Sequence, residues 1–149
     1  MKRIIFMLFI SLGLNSQNLV EKIAFQSANP FSFHDVITDL ENQEKQEVYG
    51  NLVIPYDSLN PDKKYPLVLG VAGSLGWKNH HYEYLTMYQN LGFATFELNS
   101  FKSRRIESTV GDQTQVTTAA MILDAYRALE ILSDHPNNQK DIISIHGWT

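Results

Sequence analysis

No cysteine occurs among the 149 residues, which excludes disulfides within this chain, thiol nucleophiles and thiolate-bound metals. Positive charge is thin as well. Lys and Arg number 12 against 16 Asp and Glu, giving a net charge of −4, and after Lys2-Arg3 the basic residues adjoin only at Lys63-Lys64 and Arg104-Arg105. A nucleic-acid surface needs a basic stripe to displace counterions, so nucleic acid is not an expected partner. Internal repeats and low-complexity tracts are also missing. What is present is an apolar content of 44%, enough for the core of one ordinary domain.

The chain opens with Lys2-Arg3, an apolar run of 11 residues, "IIFMLFISLGL" from Ile4 to Leu14, and then the polar "NSQN" with a small residue at Ser16. A positive start, a short apolar stretch and a small residue match a secretory signal peptide, and the run falls short of the ~20 residues that span a bilayer. Residues 1–16 are therefore expected to be a signal peptide, residues 17–149 to fold, and the protein to be exported without a stable membrane span. Loss of Lys2 and Arg3 would take the net charge from −4 to −6.

Beyond the leader, "FSFHDVITDL" and "EVYGNLVIP" carry β-branched and aromatic residues in short runs, and they read as an antiparallel strand pair. "YDSLNPDKKYP" has the composition of a surface loop. "LVLGVAG", from Leu67 to Gly73, is continuously apolar, as suits a strand covered on both faces. A helix is expected from His80 to Leu91, closed by Gly92, then a strand at "FATFEL", a polar loop, a long helix from about Gln115 to Ser133, and a last strand at "IISIHG". Alternating strands and helices indicate a doubly wound, mostly parallel α/β sheet entered through an antiparallel pair. Sites in such sheets lie at the carboxyl ends of the strands. Attention therefore falls on "VAGSLGWKNHH" and "HGWT".

Three stretches resemble the α/β-hydrolase superfamily, and within it the dienelactone hydrolase-like branch: "YPLVLGVAGSLG", "LGFATFELNSFKSRR" and "AYRALEILSDHPNNQKDIISIHGWT". The first is similar to the family's strand and oxyanion loop, the second to a strand followed by Asp-Ser-Phe and a nearby Arg. The third is similar to a helix, an "HP" turn and a strand running into Gly-Trp-Ser-x-Gly-Gly. The resemblance covers roughly residues 46 to 149. It implies an α/β-hydrolase-type sheet incomplete at the C-terminus, with the sequence stopping at a nucleophile elbow. There a strand meets a helix through a turn so sharp that the central side chain projects above the sheet. Gly147 takes the place of the first glycine, Trp148 the variable position and Thr149 the nucleophile.

The implied activity is hydrolysis of an ester or lactone by nucleophilic acyl transfer, with a small-molecule ester or lactone as substrate and no cofactor. The backbone N–H of Ser74 is the expected oxyanion donor, flanked by Gly73 and Gly76. The base and acid would follow residue 149 in this superfamily's order, so the chain ending at Thr149 is expected to be inactive. Two departures stand out. Thr149 replaces Ser or Cys, and a β-branched residue suits the strained elbow poorly. Ala72 stands where the family commonly has His. The alternative class is a non-catalytic binding or scaffold protein on the same fold.

Arg104 in the loop after the fourth strand is expected to meet a substrate carboxylate, and Trp77, with Tyr82, to line an acyl pocket. "AGSLG" lacks the Lys-Ser/Thr ending of a nucleotide loop and the third glycine of a dinucleotide fingerprint. His80-His81 reads as a solvated helix start rather than a metal site, because neighbouring helical residues diverge. His146 is expected to pack beneath the sheet edge, and His34 and His135 to have no role.

Overall fold

The computed structural model describes residues 18–148, so the signal-peptide reading of residues 1–16 and the side chain of Thr149 lie outside the described residues. Five strands form one sheet in the order β1-β2-β4-β3-β5. They are β1 (Asn18–Ala28), β2 (Lys45–Pro55), β3 (Tyr65–Val71), β4 (Ala94–Leu98) and β5 (Asn138–Gly147). β2 runs antiparallel to both β1 and β4, whereas β3 is parallel to β4 on one side and to β5 on the other. The expected architecture of an antiparallel entry into a mostly parallel sheet is therefore present.

One part of that expectation needs correction. "FSFHDVITDL" is not the first strand; it forms the short helix α1 (Phe33–Thr38) followed by a 3-10 turn at Leu40–Asn42. Ser32 caps this helix, its hydroxyl accepting from the Asp35 N–H while the Asp35 carboxylate accepts from the Ser32 N–H. A reciprocal cap of this kind fixes a helix start irrespective of strand-like composition. Its aromatic and branched residues remain in solvent, Phe33 at 49% and Ile37 at 81% exposure. The true partner of β2 is β1, paired from Asn18 opposite Pro55 to Ala28 opposite Lys45.

Alternation along the strands splits the side chains between two layers. Leu67 and Leu69 of β3, Phe96 and Leu98 of β4, and Val48, Leu52 and Ile54 of β2 point to one face. There they meet Ala125, Ala128 and Leu132 of α4 (Thr118–Ser133), which follows the one-turn helix α3 (Ser100–Ser103) and whose first turn is capped by the Thr117 hydroxyl. Small alanines let this helix lie close to the sheet, and each fully buried Leu, Ile or Phe contributes about 1.5–3 kcal/mol. The opposite face carries α2 (Asn79–Asn90), which ends at Gly92 with φ 86°. Here Gly70 leaves the space that Trp77 and Trp148 fill: a Cβ at position 70 would lie 2.8 Å from one indole and 2.9 Å from the other. Helices on both faces bury the central strands, which explains the continuous apolar run of β3.

Candidate functional site

The connection from β3 through α2 leads to β4 on one side of β3, and the connection from β4 through α4 leads to β5 on the other. The order of the sheet thus reverses at β3, and the crevice at the carboxyl ends of β3 and β5 is where doubly wound sheets bind ligands. A groove lies there, bordered by the loop Ala72–Gly76, by Gly147 and Trp148, and by Met121 and Tyr126 of α4.

The loop is built tightly. Gly76 N–H donates to the Gly73 carbonyl at 2.8 Å, closing a turn. Gly76 has φ 69°, and a Cβ there would sit 2.7 Å from the Glu107 carbonyl oxygen, so this position requires glycine. The Ser74 carbonyl accepts from Thr109 N–H at 2.8 Å and from the Ser108 hydroxyl at 3.0 Å. Both peptide units around Ser74 are thereby held. In the planar trans unit joining Gly73 to Ser74, the carbonyl is used by the turn and the Ser74 N–H points the opposite way. That N–H makes no hydrogen bond among the described residues. A fixed, unspent backbone donor at the groove is what an oxyanion site needs.

β5 stays paired to its end, with Trp148 N–H donating to the Val71 carbonyl at 3.0 Å. Trp148 turns toward α2, where it stacks on His146 at 4.3 Å and lies 5.0 Å from His81. His146 Nδ1 pairs with the Tyr88 hydroxyl at 2.9 Å, which agrees with the packed role expected for it. His81 differs from expectation. It is 4% exposed, and its Nδ1 accepts the Lys78 N–H at 3.1 Å, closing the first turn of α2. Burial first, then the charges of His80 and Lys78, hold its pKa below the usual value. His80 remains in solvent, and among the described residues no group of three or more His, Cys, Asp and Glu could hold a metal ion.

Arg104 also departs from its expected role. Its guanidinium binds both carboxylate oxygens of Asp124, at 2.7 and 3.1 Å, as well as Asn29 Oδ1, the Ser100 carbonyl and the Ala28 carbonyl. The two side chains are 5% and 0% exposed, and Ser27 Oγ completes the cluster at 2.6 Å from Asp124. With every nitrogen engaged, nothing remains for a substrate carboxylate. This is a buried structural ion pair, a use of arginine favoured by its planar fork.

Trp77 lines a second cavity, which shares Val71, Ala72, Leu75 and Gly76 with the groove, and its indole N–H donates to the Leu98 carbonyl at 2.8 Å. Tyr82 stacks on Trp77 at 5.6 Å, and its hydroxyl donates to Glu97 at 3.0 Å. Burial, followed by the Glu97 charge, pushes the Tyr82 pKa up to about 12. Glu97 also accepts from Asn51 at 3.0 Å and lies 3.7 Å from Lys102. The same cavity is lined by Asn99 and Ser100, at the end of β4, which the residue types alone did not single out. Their only signal in the sequence was their place in the Asp-Ser-Phe-like stretch.

The reversal of strand order, the pinned loop after β3 and the flanking helices define a doubly wound α/β protein. No known family profile and no curated protein matches the sequence. Solved structures place the fold more narrowly, with that of dienelactone hydrolase-like proteins. The structure of a protein assigned as a dienelactone hydrolase from Klebsiella pneumoniae subsp. pneumoniae MGH 78578 aligns with a TM-score of 0.53 at 12% identity, covering 86% of this chain and 50% of that one. Vibralactone cyclase aligns with a TM-score of 0.51 at 15% identity, covering 89% of this chain and 34% of that one. The chain thus spans about half of the first structure's length and about a third of the second's.

Proposed function

We propose that this chain is the N-terminal part of an exported hydrolase that cleaves an ester or lactone by acyl transfer. The observation that carries the reading is the unspent Ser74 N–H, held at the groove beside the strand end that leads into Thr149. The Thr149 hydroxyl would attack the substrate carbonyl while a histidine later in the protein takes its proton. Negative charge on the carbonyl oxygen would be met by the N–H groups of Ser74 and residue 150. Collapse of the tetrahedral intermediate would expel the alcohol, protonated by the same histidine, and water would then release the acid.

Three experiments test the proposal. The coding sequence after codon 149 is expected to specify a small residue pair close by, and Asp and His much later. In the full-length protein, Thr149→Ala is expected to lower kcat for an activated acetate ester by at least about a thousandfold. Equal rates in the two proteins would instead favour the binding or scaffold reading. Export is tested by sequencing the mature N-terminus: cleavage after Ser16 is the expected result, and an intact Met1–Ser16 segment would overturn it.

A further inference from the structure

The loop Gly73–Gly76 is held from outside by residues that belong to no strand or helix, Ile106 to Val110. They are brought there by a fixed reversal of the chain after α3. Arg105 N–H donates to the Lys102 carbonyl at 3.1 Å and Ile106 N–H to the Phe101 carbonyl at 3.0 Å. Between them Arg105 takes φ 59°, the one non-glycine residue with positive φ among the described residues. A residue keeps such a conformation where its surroundings impose it. Here the Arg104 side chain is locked on Asp124 just before the reversal, and Ile106 packs on Phe101, Val116 and Ala120 just after it.

Three successive residues then meet the loop. The Glu107 carbonyl oxygen occupies the space beside Gly76, the Ser108 hydroxyl donates to the Ser74 carbonyl at 3.0 Å, and Thr109 N–H donates to the same carbonyl at 2.8 Å. The Ser108 hydroxyl is itself oriented. It has a single proton to give, and Val110 N–H donates to its oxygen at 3.3 Å, which leaves the proton for Ser74. The Ser74 N–H and the Ser74 carbonyl lie in two rigid peptide planes joined at one Cα. The first plane is closed by the Gly76 turn and the second by Ser108 and Thr109.

We propose that Ser108 is a positioning residue of the reaction: its hydroxyl, together with the Thr109 N–H, sets the direction of the Ser74 N–H toward the substrate's carbonyl oxygen. It acts through Ser74 rather than on the reacting atoms. A donor stabilises the transition state when it is already aimed at the place where charge develops, and a donor free to swing loses that advantage. The ground state gains less from such aim, so the effect falls on kcat and not on KM. The inference rests on the hydrolase reading of the same loop.

The test compares Ser108→Ala and Ser108→Thr in the full-length protein, with nitrophenyl acetate as substrate and rates expressed per active site counted by burst titration. Ser108→Ala is expected to lower kcat roughly tenfold to a hundredfold with KM nearly unchanged, and to weaken inhibition by phenylboronic acid, a tetrahedral mimic, by a similar factor. Ser108→Thr keeps the hydroxyl and is expected to recover most of both losses. An unchanged kcat, a loss confined to KM, or equal losses in the two variants would overturn the positioning role while leaving the hydrolase reading intact. The clamp is also read without substrate, from the NMR order parameter of the Ser74 amide, which Ser108→Ala is expected to lower and Ser108→Thr to restore. An unchanged order parameter overturns the proposal even in an active enzyme. A lowered one in a protein that turns over no ester supports the clamp and removes the hydrolase reading alone.

Discussion

Asp124 and Arg104 show how the same residue type can be read correctly for chemistry and wrongly for place. Arginine does suit a carboxylate here, but the carboxylate is the protein's own, 20 residues along the chain. Asp124→Asn keeps the shape and removes the charge, leaving a buried guanidinium without its counter-ion. The expected loss is about 3–5 kcal/mol in urea unfolding. Replacing both partners by apolar residues of similar size is expected to cost less than that single change. Gly76→Ala is expected to destabilise the protein by about 1–3 kcal/mol, from the left-handed backbone alone, and to reduce ester turnover because the loop must shift away from Glu107. At Ser74 the prediction concerns the backbone. Its amide should exchange with deuterium much faster than that of Thr109, which is bonded, and a phosphonate or boronate occupying the oxyanion site should slow it. Unchanged exchange with the inhibitor bound would remove Ser74 from the mechanism.

At the scale of the element, β3, β4, β5 and the two longer helices were legible because their signals are local: a doubly covered strand is continuously apolar, and Gly92 marks a helix end, whereas the start of α4 was placed at about Gln115, ahead of the Thr117 cap. β1 was not legible. Its exposed Leu19 and Val20 give weak alternation. α1 was misread because its Phe and Ile suggest burial, whereas the deciding feature is the Ser32–Asp35 cap. The start of α2 was misread for a related reason, since adjacent histidines give no hint that one turns inward beneath Trp148. That buried ring carries a pH prediction. The folded-state pKa of His81 lies below its usual 6.5, so the unfolded chain takes up the proton first. Its contribution to stability is complete above pH 6.5 and is lost as pH falls from there through the lowered folded-state value. His81→Asn is expected to flatten urea-unfolding stability between pH 7 and pH 5 relative to the parent, and parallel curves would refute this role.

For the molecule as a whole, the class of fold could be read from the order of apolar runs, while the placement of side chains between the two faces could not. Alternation tells which residues share a face, but only the crossovers decide which helix covers it. β5 is an edge strand among the described residues, with Ile142 and Ile145 half exposed. Unpaired, apolar edges invite association, so a chain of residues 18–149 is expected to form concentration-dependent oligomers in analytical ultracentrifugation, and Ile145→Lys to reduce them. The opposite edge is held differently. β1 is tied to the body by Ser27 bonding to Asp124, 97 residues later, and by the Ala28 carbonyl accepting from Arg104, 76 residues later. During synthesis, β1 leaves the ribosome long before either partner exists. At ~5–20 residues per second the wait is on the order of 5–20 s. Throughout that interval, β1 can pair with β2 but stays without the two contacts that fasten the hairpin to the rest of the sheet.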